Sequence, residues 1–271
     1  MKLNNENYFS KEADIKYLSV SQYKNFLECE KKALGLMNKE WDYGDKPCFL
    51  IGSYFHAWAE GALDNFIEEN SSKIMMKNKK DKLAQFREVD EIIKTLEANP
   101  VQYKRILDII QNKNNKKEQI FTGKLFNTDW KIKIDIYNPK DGYLCDLKLI
   151  KSLYDKFYNP FKLKYENFIL NYQYDLQMYI YSEVEKEANN RENILLPVLA
   201  CITKEKPINT ALFINFDKIR NNDDFVGKVN MDVQRIIELK QGTASPIGCD
   251  KCDYCRSVLP TKVMNYDGLF I

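Results

Sequence analysis

The middle of the chain alternates between apolar and polar residues in the way that is typical of β-strands. Three such runs follow one another: QIFTGKLF, WKIKIDIYN and GYLCDLKLI. Turn-forming residues at 127–129 and 138–142 separate them, and together the runs predict an antiparallel meander. Two later runs, NILLPVLACITKE and NTALFINF, predict a buried strand and a shorter one.

Helical periodicity occupies most of the remaining chain. In LSVSQYKNFLECEKKALGLMNKE, serines that can cap a helix precede apolar residues at helical spacing. Further helices are predicted in FLIGSYFHAWAEGALDNFIEE, at 80–96 and 101–111, in QYDLQMYIYSEVEKEA, and in DDFVGKVNMDVQRIIELKQG, which Gly242 closes. The order of helices, three strands, helix, strand and helix predicts an α/β domain around a mixed sheet.

A length of 271 residues suits one large domain. We divide this domain into a helical N-terminal part (15–115), a core of sheet and helices (116–241) and a cysteine-rich tail (242–271). The formal net charge is only +2, so a nucleic-acid partner would have to be bound by local basic patches.

The chain shows no secretory signal, and its longest apolar run, ILLPVLACI, is too short to span a membrane. We therefore expect a cytoplasmic protein without a membrane partner. In that compartment the seven cysteines are expected to bind metal or to be buried, and not to form disulfides. Cys48, Cys145 and Cys201 have apolar neighbours and are predicted to be buried core thiols.

Two acids and a lysine interrupt the second and third predicted strands. Asp135 and Asp146 lie within runs that otherwise look buried, and Lys148 points to the same strand face as Asp146. Two close carboxylates favour a divalent cation, and Lys148 could neutralise a phosphate or help to deprotonate a metal-bound water. The alternative is an ion pair of Asp146 with Lys148 at a strand end and a solvent-facing Asp135.

His56 is the only histidine, and Gly52 and Gly61 bracket it. An imidazole is a reasonable third ligand for Mg²⁺ or Mn²⁺ beside two carboxylates, and Glu60, one helical turn later, is a further candidate. The alternative is a histidine whose hydrogen bonds are satisfied within a helix.

The candidate residues follow one order along the chain: Gly52-x-x-x-His56, Asp135, Asp146-Leu147-Lys148 and Gln177-x-x-x-Tyr181. Over residues 50–185, this order and spacing resemble the RecB-type branch of the PD-(D/E)XK nuclease superfamily. The proline of the superfamily name is absent before Asp135, where Ile134 stands. SVSQYKNFLECEKKAL and CDKCDYCRS further resemble phage-type nucleases similar to exonuclease VIII (RecE).

The resemblance implies a restriction-endonuclease-like fold and a role for each matching residue. The implied metal ligands are His56, Asp135, Asp146 and the backbone carbonyl of Leu147. The implied catalytic residues are Asp135, Asp146, Lys148, Gln177 and Tyr181. Without the resemblance, Gln177 and Tyr181 are equally well explained as a surface glutamine above a packed tyrosine on one helical face.

The implied function is that of a Mg²⁺- or Mn²⁺-dependent deoxyribonuclease, an exonuclease of phage-type recombination or repair. Members of this kind act beside a single-strand annealing recombinase, and some similar exonucleases assemble into rings, so a homo-oligomer is compatible with the resemblance. The alternative is a noncatalytic DNA-binding or scaffold module that keeps the nuclease fold.

Cys249-x-x-Cys252-x-x-Cys255 has ferredoxin-type spacing, and Cys29, placed in the middle of a predicted helix, is the best fourth ligand. One cysteine before the core and three after it resemble the AddB-like nucleases, whose C-terminal spacing is usually wider, and imply a [4Fe–4S] cluster. The alternatives are zinc bound by the same four residues, or reduced thiols without metal.

Lysines surround the hairpin, and several alternate with aromatic residues that can stack on unpaired bases. This pattern predicts a DNA-binding surface; the alternative is a solvated face over a hydrophobic stripe. The lysines are Lys131, Lys133, Lys151, Lys156, Lys162 and Lys164.

Overall fold

The computed structural model describes residues 1–44, 46–77, 80–159 and 163–261. Its helices are α1 (Lys11–Lys16), α2 (Val20–Glu28), α3 (Glu30–Met37), α4 (Pro47–Glu60), α5 (Leu63–Glu69), α6 (Ser71–Ile74), α7 (Ala84–Ala98), α8 (Lys104–Gln111), α9 (Phe168–Asn171), α10 (Tyr174–Ala188), α11 (Asp217–Arg220), α12 (Asp223–Gln241) and α13 (Asp253–Val258). Its strands are β1 (Lys116–Leu125), β2 (Thr128–Asn138), β3 (Tyr143–Ile150), β4 (Lys156–Asn159), β5 (Lys164–Asn167), β6 (Leu196–Thr203) and β7 (Thr210–Phe213).

Five strands form one sheet in the order β1-β2-β3-β6-β7. β1, β2 and β3 are antiparallel neighbours, which confirms the predicted meander. β3 and β6 run parallel, and β7 pairs antiparallel with β6. The sheet is therefore mixed, as predicted. β4 and β5 form a separate hairpin in a segment for which the hydrophobic pattern predicted no strands.

Helices cover both faces of the sheet and bury a core on each. On one face, Cys145, Leu147 and Ala200 pack against α4, α7 and α8. On the other face, Trp130 and Ile132 pack against α2, α10 and α12. Successive residues of a strand point to opposite faces, so β3 contributes to both cores and its acidic and basic residues share the α10 side.

Two helices predicted to be continuous are broken. Gly61 has a φ of 77° and ends α4, a left-handed conformation that glycine adopts without steric cost. Cys29 separates α2 from α3 in an extended conformation (φ −166°, ψ 112°), so its predicted mid-helix position was wrong.

The three cysteines predicted to be core thiols differ in exposure. Cys145 and Cys201 are buried, as predicted, in strands of the central sheet. Cys48 is exposed in the first turn of α4, so the prediction for it was wrong. Among the described residues, none of the helices combines the length and the apolar composition needed to cross a membrane.

Lys131 is buried beneath α1, contrary to its predicted place on a DNA-binding surface. Only 1% of the residue is exposed, and its ammonium group donates to Asp14 Oδ1 at 2.6 Å and to the carbonyl of Tyr8 at 2.5 Å. Its charge is therefore satisfied inside the protein and does not face a DNA backbone.

Asp14→Ala is expected to lower the free energy of unfolding by about 3–5 kcal/mol, because it leaves the ammonium group of Lys131 buried without its anion. Urea unfolding followed by circular dichroism measures this loss. Asp108→Ala is the matched control: Asp108 pairs with Lys104 on an exposed helix face, and its loss is expected to change stability by less than about 0.5 kcal/mol. Equal losses of stability from the two substitutions would contradict the role of Asp14 as the anion of the buried Lys131.

Candidate active site

β2 and β3 separate at the point where Asp135 and Asp146 stand. Their ladder contains three register pairs and ends at Ile136–Cys145. Beyond it, the N–H of Leu147 donates to Asp135 Oδ2 at 2.8 Å, so a side chain replaces a ladder partner. β3 remains paired with β6 across this region. The two acids therefore stand at an opening between strands that are fixed on either side.

Asp146 is buried, at 2% exposure, and is held from two directions. Gln177 Nε2 in α10 donates to its Oδ1 at 2.6 Å, and Lys148 Nζ lies 2.7 Å from its Oδ2. Burial raises the pKa of Asp146, with repulsion from Asp135 added and the charge of Lys148 opposing. Burial alone would lower the pKa of Lys148, but the two aspartates raise it, so the lysine is a stable ammonium group.

Tyr181 lies one turn after Gln177 and packs against two hydrophobic clusters. Burial raises the pKa of this tyrosine well above its ordinary value, so it remains a neutral phenol. The helix thus places Gln177 directly on Asp146 and keeps Tyr181 beside it in the packed interior.

His56 reaches the opening from α4 and pairs with Asp135, with Nδ1 3.5 Å from Oδ1. Burial alone would lower the pKa of His56, but the charge and hydrogen bond of Asp135 raise it to about 9. Conversely, burial would raise the pKa of Asp135, but His56, Lys148 and the Leu147 N–H lower it to about 2. The metal-free pair is therefore an imidazolium with a carboxylate.

Glu118 is a component of the site that the sequence did not identify. It has a φ of 51° within β1, and its strand neighbours pair with the residues on either side of Asp135. Its carboxylate pairs with Lys133, and Glu118, His56 and Asp135 offer ligand atoms that all lie within 4.8 Å of one another. Burial and the charge of Glu118 raise the pKa of nearby Glu60 to about 7.

These residues fit a hard divalent cation. Carboxylate oxygens and a neutral imidazole are suitable ligands for Mg²⁺ or Mn²⁺. Within the described part of the chain, Lys148 Nζ at 2.7 Å is the one partner of Asp146 Oδ2. The Leu147 carbonyl as a ligand remains a prediction, although the neighbouring N–H of Leu147 lies on Asp135.

Two further residues border the site and were not identified from the sequence. Lys24 in α2 donates to the carbonyl of Tyr172 at 2.7 Å and stands 5.4 Å from the centre of the Tyr174 ring. Lys148 stands at the same distance, 5.4 Å, from that ring. Tyr174 at the start of α10 therefore lies beside both ammonium groups.

The four cysteines predicted to share a metal come together. Their Sγ atoms all lie within 4.8 Å of one another, and those of Cys29 and Cys255 are 3.5 Å apart. Backbone N–H groups of the tail donate to three of the sulfurs at 3.3–3.5 Å, those of Cys29, Cys249 and Cys252. Backbone N–H groups of Lys251 and Cys252 lower the pKa of Cys249 to about 6, whereas burial raises the pKa of Cys29 and of Cys252.

The remaining predicted DNA-binding lysines occupy different environments. Lys133 is paired with Glu118 at the site, whereas Lys151 is 87% exposed and 3.2 Å from Asp155. Lys156 and Lys164 are exposed on the β4–β5 hairpin. Lys162 lies outside the described residues. The role of these lysines in DNA binding remains a prediction.

The chain is similar to known proteins over most of its length. The family model described as "PDDEXK-like domain of unknown function (DUF3799)" matches residues 19–258. A crystal structure named "Putative exonuclease", from Eubacterium rectale, is similar at 30% identity and a TM-score of 0.84, covering 99% of this chain and 98% of that one. No curated protein matches.

Another solved structure, named SSO0001, has 13% identity and a TM-score of 0.29 over 90% of this chain and 96% of that one. A superposition of that quality supports no conclusion about fold or function.

Binding of Mn²⁺ at this site is expected to release about one proton near pH 7.5, because a histidine with a pKa of about 9 must lose its proton to become a ligand. Below that pKa, affinity should fall about tenfold for each pH unit. Isothermal titration calorimetry in buffers with different ionisation enthalpies counts the proton. His56→Ala is the control and should lose this release. Mn²⁺ binding by the unsubstituted protein without proton release would contradict the ligand role.

Proposed function

The chain belongs to the PDDEXK-like domain family DUF3799, and from this premise we propose that it is a divalent-metal-dependent nuclease that hydrolyses phosphodiester bonds in DNA. The observation that carries the proposal is the convergence of Asp135, Asp146 and Lys148 at the opening between β2 and β3. His56 adds an imidazole from the opposite helix.

Each side chain has a distinct part in this proposal. His56, Asp135 and Asp146, together with the Leu147 carbonyl, would hold Mg²⁺ or Mn²⁺, which when bound polarises the phosphate and acidifies water. Lys148 is protonated, so it would donate to a non-bridging phosphate oxygen and orient the water. Gln177 fixes the rotamer of Asp146 through its 2.6 Å hydrogen bond, and Tyr181 supports that arrangement from the same helix.

Glu118 extends the proposed cation site on the side of β1. Its carboxylate reaches the same space as His56 and Asp135, and Lys133 balances its charge. We include it as a ligand candidate because three carboxylates and one imidazole approach the coordination that small hard cations favour.

The proposals that the enzyme acts at DNA ends and that it has protein partners rest on the resemblances to other nucleases. The similarity to the crystal structure named "Putative exonuclease" covers nearly the whole of both chains, which supports action at DNA ends. The likeness to phage-type exonuclease VIII supports a role in recombination or repair beside a single-strand annealing recombinase, in a homo-oligomer. In this proposal, Lys151, Lys156 and Lys164 contact the DNA backbone outside the site.

We propose that Cys29, Cys249, Cys252 and Cys255 hold a [4Fe–4S] cluster, for which ferredoxin-type spacing and the AddB-like distribution are the support. Zinc is the second candidate. A tetrahedral site with Zn–S bonds of about 2.3 Å places its sulfurs about 3.8 Å apart. The four Sγ atoms lie within 4.8 Å of one another, and this separation favours a single zinc ion.

Linear duplex DNA is expected to be degraded only with Mg²⁺ or Mn²⁺, and Asp146→Ala and Lys148→Ala should each slow cleavage at least about 100-fold through loss of several kcal/mol of transition-state stabilisation. A gel or fluorescence assay with linear and closed circular DNA measures rate and end dependence. Lys104→Ala, on an exposed helix face, is the control and should match wild type. Absence of metal-dependent cleavage by wild type would leave the noncatalytic DNA-binding module as the better explanation.

Anaerobically purified protein is expected to contain iron and to absorb broadly near about 400 nm. Elemental analysis separates the alternatives, since stoichiometric zinc without iron would replace the cluster proposal. Cys252→Ser should lose the metal and lower thermal stability, because the metal ties the tail to the α2–α3 junction. Cys48→Ser replaces an exposed thiol away from the cluster, so this variant should keep both the bound metal and the thermal stability of the unsubstituted protein.

A further inference from the structure

Lys24 is a cation beside the candidate active site that no part of the nuclease motif contains. It lies on α2, and its ammonium group reaches the connection between α9 and α10, where it donates to the carbonyl of Tyr172. Within the described ranges, no carboxylate lies within ion-pair distance of it, although Asp146 and Asp175 act on it electrostatically. Its charge is therefore held by a neutral carbonyl and an aromatic ring.

The ring of Tyr174 links Lys24 to Lys148. Each ammonium group stands 5.4 Å from its centre, which is the distance of a cation–π contact. Two like charges thus border one ring at the edge of a metal-binding opening. Asp146, whose Oδ2 lies 2.7 Å from Lys148 Nζ, offsets part of the repulsion between the two ammonium groups, and a further anion would offset more of it.

The electrostatics of Lys24 agree with an anion binding here. Burial and the charge of Lys148 lower the pKa of Lys24 to about 8. A phosphate group beside the ammonium would offset both effects, since an opposite charge favours the charged form. The tyrosine at position 172 is 47% exposed, and its ring lies 5.7 Å from that of Tyr174, so this edge of the site is open and aromatic.

We propose that Lys24 binds a phosphate group of the DNA strand adjacent to the phosphodiester that Lys148 contacts. The proposal rests on the proposed nuclease function and deepens it. In this proposal, two successive phosphates are held on the α10 side of the site, one by each of the ammonium groups that border Tyr174. The phosphate is either an internal phosphodiester or a terminal phosphate at the strand end, and both have the same chemistry towards a lysine.

The test measures DNA affinity at several salt concentrations by fluorescence anisotropy, in an Asp146→Asn parent that keeps an acceptor for Gln177. Each lysine–phosphate contact releases counterions, so Lys24→Gln should reduce the slope of log K against log salt by about 1 and weaken binding about tenfold. Glutamine retains a donor for the Tyr172 carbonyl, and Lys24→Arg should restore the slope. A purely structural role would change thermal stability and leave the slope unaltered.

Lys16→Gln is the matched control. Lys16 also stands over a tyrosine ring, at 5.1 Å from that of Tyr17, but near Asp129 at the start of β2, away from the acids. Its substitution should leave the slope unchanged. An unchanged slope for Lys24→Gln in a parent that binds DNA overturns this inference alone, whereas a wild type that neither binds nor cleaves DNA overturns the proposed function as well.

Substrates with a 5′-phosphate and with a 5′-hydroxyl distinguish the two sources of the phosphate. If Lys24→Gln reduces the slope of log K against log salt on both substrates, the phosphate that Lys24 binds is an internal phosphodiester. If the slope falls only on the 5′-phosphorylated substrate, Lys24 binds the terminal phosphate. Either result supports a contact between Lys24 and a phosphate group.

Discussion

The separation of β2 from β3 after Ile136–Cys145 is the constraint on which the site depends. A backbone N–H left without a partner at such a point would cost free energy, and the carboxylate of Asp135 removes that cost by accepting from Leu147. Asp135 is thereby fixed in the opening, and parallel pairing with β6 fixes Asp146 opposite it. The opening also gives α4 and α10 access to the same acids from opposite faces of the sheet.

The charges around this opening are arranged asymmetrically. Asp135 faces an imidazolium and has a lowered pKa, whereas Asp146 is more deeply buried and has a raised one. Because the two carboxylates differ in their partners, a cation held by His56 and Asp135 would require the loss of the His56 proton, whereas the Asp135 carboxylate is already ionised. Lys148 lies on the α10 side and pairs with Asp146, while its charge also lowers the pKa of Asp135.

Much of this arrangement could be predicted from the sequence because it depends on the local order of apolar, polar and charged residues. Alternation located the strands of the central sheet, and the order of His56, Asp135, Asp146 and Lys148 indicated which residues form the candidate site. Cys29 was misplaced in a continuous helix because its extended backbone depends on tertiary contacts of the tail. Lys131 resembled a surface lysine by alternation, and only the packing of α1 over it buries its charge.

Glu118 and Lys24 could not be identified because no local pattern marks them. Glu118 enters the site through a positive φ within a strand, a conformation that the identity of a glutamate does not indicate. Lys24 meets Tyr172 across 148 positions of the chain, a contact that only the packing of α2 against α10 creates. Interactions of this range follow from the assembled fold, so they become visible only in the structure.

The α2 helix connects the two candidate metal centres. Its C-terminal end leads into Cys29, and the next residue, Glu30, accepts two hydrogen bonds from Arg235 of α12 and one from the N–H of Ile247 in the tail. A metal bound by the four cysteines would therefore fix the end of the helix that carries Lys24. Lys24 precedes Cys29, the residue that follows the end of α2, by little more than one helical turn. The structure thus links the cysteine site to the candidate active site through α2, the helix whose Lys24 stands beside Tyr174.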